Sequence, residues 1–510
     1  MNTVQFRRVA LLVLFVGFSG MARAQDLSSF EKRVSTKVLA NGLTVIVCER
    51  PEAPVFSFFT HVNVGADREV PGITGLAHMF EHMAFKGTDK IGTTDFAAEK
   101  VALEKVEQAY AAYDLERRRD VGRDEKRVAE LEKGWKDAIA DADKYVVKNE
   151  FGEIVEREGG AGLNAFTSSD ETAYHYSFPS NRLELWAYLE SERFLHPVMR
   201  EFYRERDVVF EERRMRSDSS PTGRLIEQFL GSAFIAHPYR RPVVGWASDL
   251  QAFSATDAAN FYNQNYVPAN MVVAIVGDVK ASEVLPLVEE YFGRLPAGNK
   301  PEPLRTIEPP QNAEREVTLR EATQPWFIEG YHKPDARDAD EAVYDSIQDL
   351  MSNGRVSRLY RALVRDKKIA AFAGGFNDFP GPKYPNLFVF FAVPAPGHTP
   401  DEIGQAVRAE IERLKNQDIS DEELKMITTR AKADLIRQLA SNEGLAQQLA
   451  SMQALFGDWR ELFKQVANLD KVTKADIRRV ANKTFVASNR TVGKIESTQL
   501  AGRSTQEATQ

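Results

Sequence analysis

The segment His78-Met79-Phe80-Glu81-His82 carries two imidazoles and a carboxylate at a spacing that suits a metal ion. His78 and His82 are four residues apart, so on a helix both side chains project from one face. Two such imidazoles are typical ligands of a tetrahedral zinc ion. Glu81 lies close enough to reach a water on that ion without being a ligand, which is the inverted order of the zincin motif. The alternative is a pair of histidines on a solvated helix, but small and apolar residues flank the segment on both sides and favour a partly buried site.

A catalytic zinc usually has three protein ligands, so two histidines leave this site one ligand short. Candidates lie in the charged stretch Tyr203–Glu212, where Glu205 and Glu212 are seven residues apart and therefore share one helix face. One of the two could bind the metal while the other accepts a hydrogen bond from a histidine ring. An amphipathic helix with charges but no ligand is the alternative.

The elements around these residues alternate between strands and helices. We predict strands in 36–67 with a turn at Asn41-Gly42, a strand pair in 163–178 and a buried strand at Met271–Val276. Helical periodicity covers 74–85, about 181–216 and 254–265. This alternation predicts an α+β fold built from layers of helix and sheet.

Residues 97–150 differ from their surroundings because they are rich in Ala, Glu, Lys and Arg. Two arms with helical spacing of apolar residues flank Val121-Gly122. We predict a helical hairpin inserted into the first domain. Its charged faces are either merely solvated or form an accessory surface for a partner or substrate.

An internal repeat divides the chain. The pattern of residues in 250–273 recurs in 469–492 at a constant offset of 219 positions, which indicates duplication. A proline-rich linker at 296–316 separates the two copies. We therefore expect two homologous α/β-layer domains, a first one at 25–295 and a second one at 317–497, followed by a disordered tail at 498–510.

The first 24 residues read as a signal peptide. Arg7 and Arg8 precede a short apolar run at 9–17, and Ala22-Arg23-Ala24 offers small residues for cleavage before Gln25. The alternative is a retained membrane anchor, for which the run is short. We expect an exported protein, periplasmic in a Gram-negative bacterium or secreted, with no transmembrane segment in the mature chain.

Composition limits the partners and the means of stabilisation. A net charge of −8 over 510 residues gives no basic surface for nucleic acid. The single cysteine, Cys48, excludes an internal disulfide and is expected to be a buried apolar residue.

The chain resembles the pitrilysin or insulinase family of zinc metallopeptidases, the inverzincins, in the two-domain type that includes the β subunit of mitochondrial processing peptidase. The resemblance rests on GLAHMFEHMAFKGT at 75–88, GLNAFTSSDETAY at 162–174, ERDVVFEE at 205–212 and HPYRRPVVG at 237–245. A weaker match in the second half is GRVSRLYRALV at 354–364.

The resemblance implies roles for individual residues. His78, His82 and Glu212 would bind a single zinc ion, with Glu81 as general base and Glu205 supporting the ligands from outside. Asn164 and Ala165 would line the substrate cleft on an edge strand, and Arg365 would reach the substrate from the second half.

Two departures from the family pattern accompany these roles. The 130 positions between His82 and Glu212 exceed the family's spacing, and the inserted hairpin accounts for the excess. Phe372 stands where the family often has a tyrosine. In the second half Asp345, Gln348 and Asp349 occupy the motif positions, so we expect one metal site per chain.

These features predict a zinc-dependent endopeptidase that cleaves extended peptides or unfolded segments by direct attack of water. The alternatives are a non-catalytic structural or partner subunit of the same fold, and a protein that uses the fold as a scaffold for binding. Larger members of the family carry four such domains in one chain, and these close like a clamshell around the substrate. We therefore expect a homodimer, or a heterodimer with a related subunit.

Overall fold

The computed structural model describes residues 30–498. The predicted signal peptide and almost all of the predicted tail lie outside these residues. Within them the chain forms two mixed β-sheets, each covered by helices, which confirms the predicted α+β class. No helix in the part of the chain that the structure describes is both long and apolar enough to cross a membrane.

The first sheet contains six strands in the order β1-β2-β6-β3-β5-β4. The strands are β1 (Val34–Val38), β2 (Thr44–Glu49), β3 (Val55–Val62), β4 (Ala161–Thr167), β5 (Thr172–Pro179) and β6 (Met271–Gly277). All neighbours are antiparallel except the parallel pair β2 and β6. Strand β4 therefore lies at an edge of the sheet.

Ten α-helices lie in the first half of the chain among the described residues. They are α1 (Leu76–Met83), α2 (Phe96–Arg117), α3 (Glu125–Ala142), α4 (Glu150–Arg157), α5 (Leu183–Leu195), α6 (Phe202–Arg213), α7 (Pro221–Ala233), α8 (Ala247–Leu250), α9 (Ala255–Asn265) and α10 (Ala281–Phe292). Helices α2 and α3 pack together as the predicted hairpin, and the turn between them contains Gly122. The helical run predicted at about 181–216 is two helices, because Pro197 follows the end of α5 and disfavours continuation of the helix.

The second half repeats this arrangement. Its five strands, in the order β7-β11-β8-β10-β9, are β7 (Arg315–Glu321), β8 (Trp326–Lys333), β9 (Ala370–Phe379), β10 (Asn386–Pro394) and β11 (Arg490–Ser497). Its helices are α11 (Glu341–Ser352), α12 (Pro400–Asn416), α13 (Asp421–Gln438), α14 (Asn442–Phe456), α15 (Glu461–Leu469) and α16 (Lys474–Thr484). The parallel pair β7 and β11 matches β2 and β6, and edge strand β9 matches β4.

The repeat in the sequence has an identical counterpart in structure. Helices α9 and α16 begin 219 positions apart and end 219 positions apart. Each starts with a capping box, formed by Ser254 with Asp257 and by Thr473 with Asp476. In each box a hydroxyl and a carboxylate satisfy backbone N–H groups of the first turn. The two halves are therefore copies of one fold.

One helix of each half packs on the sheet of the other half. Helix α14 packs on the outer face of the first sheet, where Leu445 and Leu449 join a buried cluster with Ile46 and Phe59. Helix α7 packs on the second sheet, where Phe229 joins a cluster with residues of β8 and β10. Both sheets thus have helices on both faces, as a fully buried sheet requires.

Candidate metal centre

Helix α1 is held at its N-terminus by a buried carboxylate. Glu69 accepts hydrogen bonds from the backbone N–H groups of Gly75 at 2.9 Å and Ala77 at 2.8 Å. These groups lack partners within the helix, and a carboxylate at this end also suits the helix dipole. Burial nevertheless raises the pKa of Glu69 to about 8. The apolar residues of this helix pack into the first core: Leu76, Ala77, Met79, Phe80 and Met83.

His78, His82 and Glu212 come together between α1 and α6. Glu212 Oε2 lies 3.5 Å from His78 Nε2 and 3.4 Å from His82 Nε2. The three residues are the kind of group that could hold a metal ion, with their ligand atoms within 4.8 Å of one another. In a tetrahedral zinc site with ligand distances of about 2.0–2.1 Å, ligand atoms are about 3.3 Å apart. The two separations measured from Glu212 therefore fit a zinc ion.

The two histidines differ in protonation. Burial lowers the pKa of His78 to about 3, helped by the charges of His82 and Arg216, so its ring is neutral at pH 7. For His82, burial opposes protonation, but the hydrogen bond to Glu205 and the nearby carboxylates outweigh it and raise its pKa. A metal ion would take the place of that proton, because a ligating imidazole must be neutral.

Glu205 and Glu212 lie on different sides of the His82 ring. Glu205 Oε2 lies 3.4 Å from His82 Nδ1, on the side of the ring away from Glu212. This contact orients the ring so that Nε2 faces the other ligands, which is the usual outer support of a metal-binding histidine. Lys86 contacts Glu205 at 2.5 Å, and its charge together with the hydrogen bonds outweighs burial and lowers the pKa of Glu205.

Glu81 lies beside the three candidate ligands and is not a member of that group. Its Oε2 is 3.9 Å from His78 Nε2, and 19% of its side chain is exposed. Burial raises the pKa of Glu81, and the charge of Glu212 adds to the effect. The carboxylate is therefore a stronger base than an exposed glutamate, as proton transfer near neutral pH requires.

The predicted peptide-binding strand runs next to this centre. Helix α1 packs against β4 and β5, and β4 pairs with β5 on one side only. Asn164 is exposed, Ala165 is buried, and Asn164 Oδ1 accepts a hydrogen bond from the Ala165 N–H at 2.9 Å. The other edge of β4 pairs with no strand among residues 30–498, so it can accept an added strand.

Arg365 is not brought to the metal centre by this chain. It lies in the π-helical segment Tyr360–Asp366 of the second half, and its Nε donates to Asp366 Oδ1 at 2.6 Å. Its side chain is 58% exposed. Phe372, at the start of β9, is 53% exposed. If Arg365 and Phe372 contact a substrate, they do so at a place away from His78 of the same chain.

The second half carries a salt bridge where the first carries the candidate ligands. Helices α11 and α13 pack together as α1 and α6 do. Glu423 and Arg430 on α13 are seven residues apart, like Glu205 and Glu212 on α6. Arg430 Nη1 lies 3.2 Å from Asp349 Oδ2, the residue at the position of His82. In this half the guanidinium of Arg430 thus lies beside a carboxylate.

A second cluster of potential ligands, Asp89, Glu192 and His196, occurs among the described residues. Both carboxylate oxygens of Glu192 already face cations, Lys90 at 3.1 Å and Arg294 at 2.8 Å. These partners lower the pKa of Glu192 and neutralise the charge that a metal would need. The cluster is therefore a salt-bridge network.

Two cations near the ligands were not identified from the sequence. Arg216 contacts Glu212 Oε1 at 2.5 Å from the π-helical turn Arg214–Asp218 that continues α6. Lys86 holds Glu205, as described above. Lys86 lies in the FKGT segment at 85–88, and Arg216 is one of five arginines between positions 204 and 216, so neither has a spacing that singles it out.

Comparison with known proteins finds two family models that match the chain. Residues 44–114 match the family model described as Insulinase (Peptidase family M16), and residues 252–430 match the model described as Peptidase M16 inactive domain.

The chain belongs to the insulinase family, peptidase family M16.

A relative named zinc protease PqqE, from Helicobacter pylori, is 27% identical over 481 residues, which cover 93% of this chain and 94% of the relative. An uncharacterized zinc protease of Mycobacterium leprae is 24% identical over 473 residues, which cover 90% of this chain and 91% of that protein.

Solved structures show the same fold. A protease from Helicobacter pylori superposes with a TM-score of 0.75 at 27% identity, over 91% of this chain and 99% of that one. The periplasmic protease PqqL of Escherichia coli gives a TM-score of 0.68 at 19% identity, over 92% of this chain but 48% of that protein. The predicted membership of the pitrilysin and insulinase family is therefore confirmed.

Proposed function

We propose that this protein is a zinc-dependent endopeptidase. The observation that carries the proposal is the triad of His78, His82 and Glu212, in which Glu212 lies 3.5 and 3.4 Å from the two rings. Glu81 lies beside the triad, and a free strand edge is adjacent. The relatives named zinc proteases support the same choice of metal and reaction. One zinc per chain is expected, because the equivalent position in the second half holds the Arg430–Asp349 salt bridge.

The residues of the site have distinct tasks. A zinc ion bound here would polarise the scissile carbonyl and lower the pKa of a water molecule. Glu81 accepts the proton of the attacking water and passes it to the leaving amine. Glu205 keeps the ring of His82 in the orientation for binding.

The substrate is an extended peptide or an unfolded segment of a protein. Strand β4 offers a free edge, so the peptide adds as a further strand next to Asn164 and Ala165. Backbone hydrogen bonds supply most of the recognition in this mode, which implies a loose preference for sequence. Folded proteins are poor substrates because their segments cannot extend along the edge.

We further propose a dimer that acts outside the cytoplasm. This chain corresponds to 48% of the periplasmic protease PqqL of Escherichia coli, and a separate structure of the first half of that protein superposes with a TM-score of 0.67. A second copy, or a related subunit, would supply the other wall of the cleft, including Arg365. The periplasmic location of PqqL and the predicted signal peptide at 1–24 support export.

The proposal is tested by hydrolysis of a quenched fluorescent peptide library, with and without a chelator, together with metal analysis of the purified protein. We expect about one zinc per chain and cleavage that stops with chelator and returns with zinc. Zinc binding without cleavage would favour the non-catalytic partner subunit. Light scattering tests the dimer, and a fully active monomer would exclude it.

A further inference from the structure

A buried arginine stands at the junction of the two helices that carry the metal ligands. Arg200 is 1% exposed, and all five of its N–H groups have acceptors. Nε and Nη2 donate to the two carboxylate oxygens of Glu99 at 2.5 and 2.7 Å. Nη1 donates to the carbonyls of Lys86 at 2.7 Å and Ile91 at 3.0 Å, and Nη2 also donates to that of Thr88 at 3.0 Å.

The positions of these partners in the chain define what the arginine connects. Lys86 follows the second histidine ligand by four residues, just beyond the end of α1. Arg200 precedes the start of α6, the helix that carries Glu212, by two residues. Glu99 lies in the first turn of α2, the first arm of the inserted hairpin. One guanidinium thus joins the end of α1, the start of α6 and the base of the hairpin.

The loop after α1 is shaped around this guanidinium. Gly87 and Gly92 both have φ of +87°, a conformation that side-chain-bearing residues rarely adopt. A Cβ on Gly92 would lie 2.7 Å from Arg200 Nη1, and a Cβ on Gly87 would lie 2.1 Å from the carbonyl oxygen of Ile91. Gly92 therefore leaves room for the guanidinium, and Gly87 leaves room for the Ile91 carbonyl that accepts from it.

The hairpin of α2 and α3 contacts α6 at a second point. The guanidinium of Arg206 lies over the rings of Tyr110, Trp135 and Tyr203, with its Cζ 5.1, 5.8 and 4.9 Å from their centroids. It also donates to Tyr110 Oη at 2.9 Å. Cation–π contacts of this kind stabilise a buried guanidinium. Both arms of the hairpin thus bear on the helix that presents Glu212.

We propose that Arg200 and its counter-ion Glu99 are positioning residues for the metal centre, and that holding α6 against α1 is the role of the inserted hairpin. Glu212 and the two histidines sit on different helices, so the separations of their ligand atoms depend on how these helices are held. The inference rests on the proposed metal site, but it requires no peptidase activity.

The test measures zinc affinity by competition with a chromophoric chelator in Glu99→Gln and Arg200→Lys. Each variant breaks the bidentate salt bridge between Arg200 and Glu99. We expect zinc to bind about 10–100-fold more weakly, as when a hydrogen-bond partner of a metal ligand is lost. Glu99→Asp keeps the charge but shortens the reach, and it provides a milder variant with an intermediate loss of affinity if Glu99→Gln fails to fold.

The matched control is Arg358→Lys in the second half. Arg358 is also buried and makes the same two-pronged contact with Glu423, at 2.9 Å for both bonds. We expect Arg358→Lys to lower the Tm but leave zinc affinity within about twofold of the wild type. Unchanged zinc affinity in Glu99→Gln, Glu99→Asp and Arg200→Lys, or an equal loss in Arg358→Lys, would overturn the proposal. Wild-type protein that binds zinc through His78 without cleaving peptides would refute the proposed activity and leave this inference standing.

Discussion

Glu81 is the residue whose chemistry is separable from the binding of metal. Its carboxylate lies beside the ligands, and burial raises its pKa. We predict that Glu81→Gln keeps zinc at the wild-type content but loses nearly all peptidase activity, by a factor of about 10² or more, because the amide preserves the shape and removes the base. Metal analysis and hydrolysis of the peptide library measure the two quantities on the same preparation. An active Glu81→Gln protein would rule out Glu81 as the base.

Glu212 and its neighbour Glu211 offer a comparison at adjacent positions. Glu212 faces both histidines, whereas the side chain of Glu211 is 56% exposed and lies near Arg214. We predict that Glu212→Ala lowers zinc occupancy severely and that Glu211→Ala changes it by less than about twofold, since only the first removes a ligand. Zinc content after dialysis against a weak chelator measures the difference. The opposite ranking would show that the ligand is assigned one residue out of place.

At the scale of elements, α14 closes the outer face of the first sheet over Cys48. The thiol is fully buried in the cluster that contains Leu449, and burial raises its pKa to about 11. Since the thiolate is the reactive form, native protein should react very slowly with a thiol reagent. We predict that Leu449→Ala costs about 2–5 kcal/mol of stability and speeds labelling, because undocking of α14 then needs less free energy.

A leucine elsewhere in the core provides the control for this experiment. Leu414 is equally buried but belongs to the core of the second half. Leu414→Ala should destabilise the protein to a similar degree and speed the labelling of Cys48 less than Leu449→Ala does. Equal rates at equal stability would mean that α14 leaves the sheet only when the whole protein unfolds.

The elements differ in how far the sequence could predict them. Helix α1, the hairpin and strand β6 have strong local periodicity, and the repeat at an offset of 219 positions predicted a second copy of the fold. The exchange of α7 and α14 could not be predicted, because an apolar helix face does not indicate which distant sheet it covers. Within the site, the histidine pair and the two glutamates were candidates from their spacing. Arg200 was missed because a lone arginine near charged residues resembles a surface residue.

At the scale of the whole molecule, a buried ionic network joins the two halves. Lys383 of the second half lies 3.0 Å from Asp67 Oδ2, and its backbone N–H donates to Asp170 at 3.1 Å. Burial raises the pKa of Asp67 despite the charges of Lys383 and Arg68. Burial and the charge of Asp67 raise the pKa of Asp170 to about 7.

This network predicts a pH dependence with a definite sign. Both carboxyls have folded pKa values above the ordinary 3.8, so the folded protein binds protons more tightly than the unfolded chain. Their contribution to stability is therefore largest near pH 4 and is lost as pH rises toward about 7. Lys383→Met removes the attraction that favours ionisation. We predict that this variant loses about 3–5 kcal/mol of unfolding free energy at pH 8 and less at pH 5, where Asp67 can remain protonated.

Guanidinium unfolding at the two pH values measures this effect. Lys136→Met removes an exposed ion pair with Glu132 and serves as the control, with an expected change below about 1 kcal/mol at both pH values. A loss for Lys383→Met that is the same at pH 5 and pH 8 would show that Asp67 stays charged throughout.

The exchanged helix α14 also sets an order of events during synthesis. The last strand of the first sheet ends at Gly277, but the helix that covers its outer face begins at Asn442. At about 5–20 residues per second, a ribosome needs on the order of ten seconds or more to make the chain between them. During that interval no helix packs on Ile46, Phe59 and Val276. The nascent chain then exposes an apolar surface to which a chaperone can bind. The strands of the first sheet are thus all made well before the helix that covers their outer face, and the sheet is closed only after most of the chain has been made.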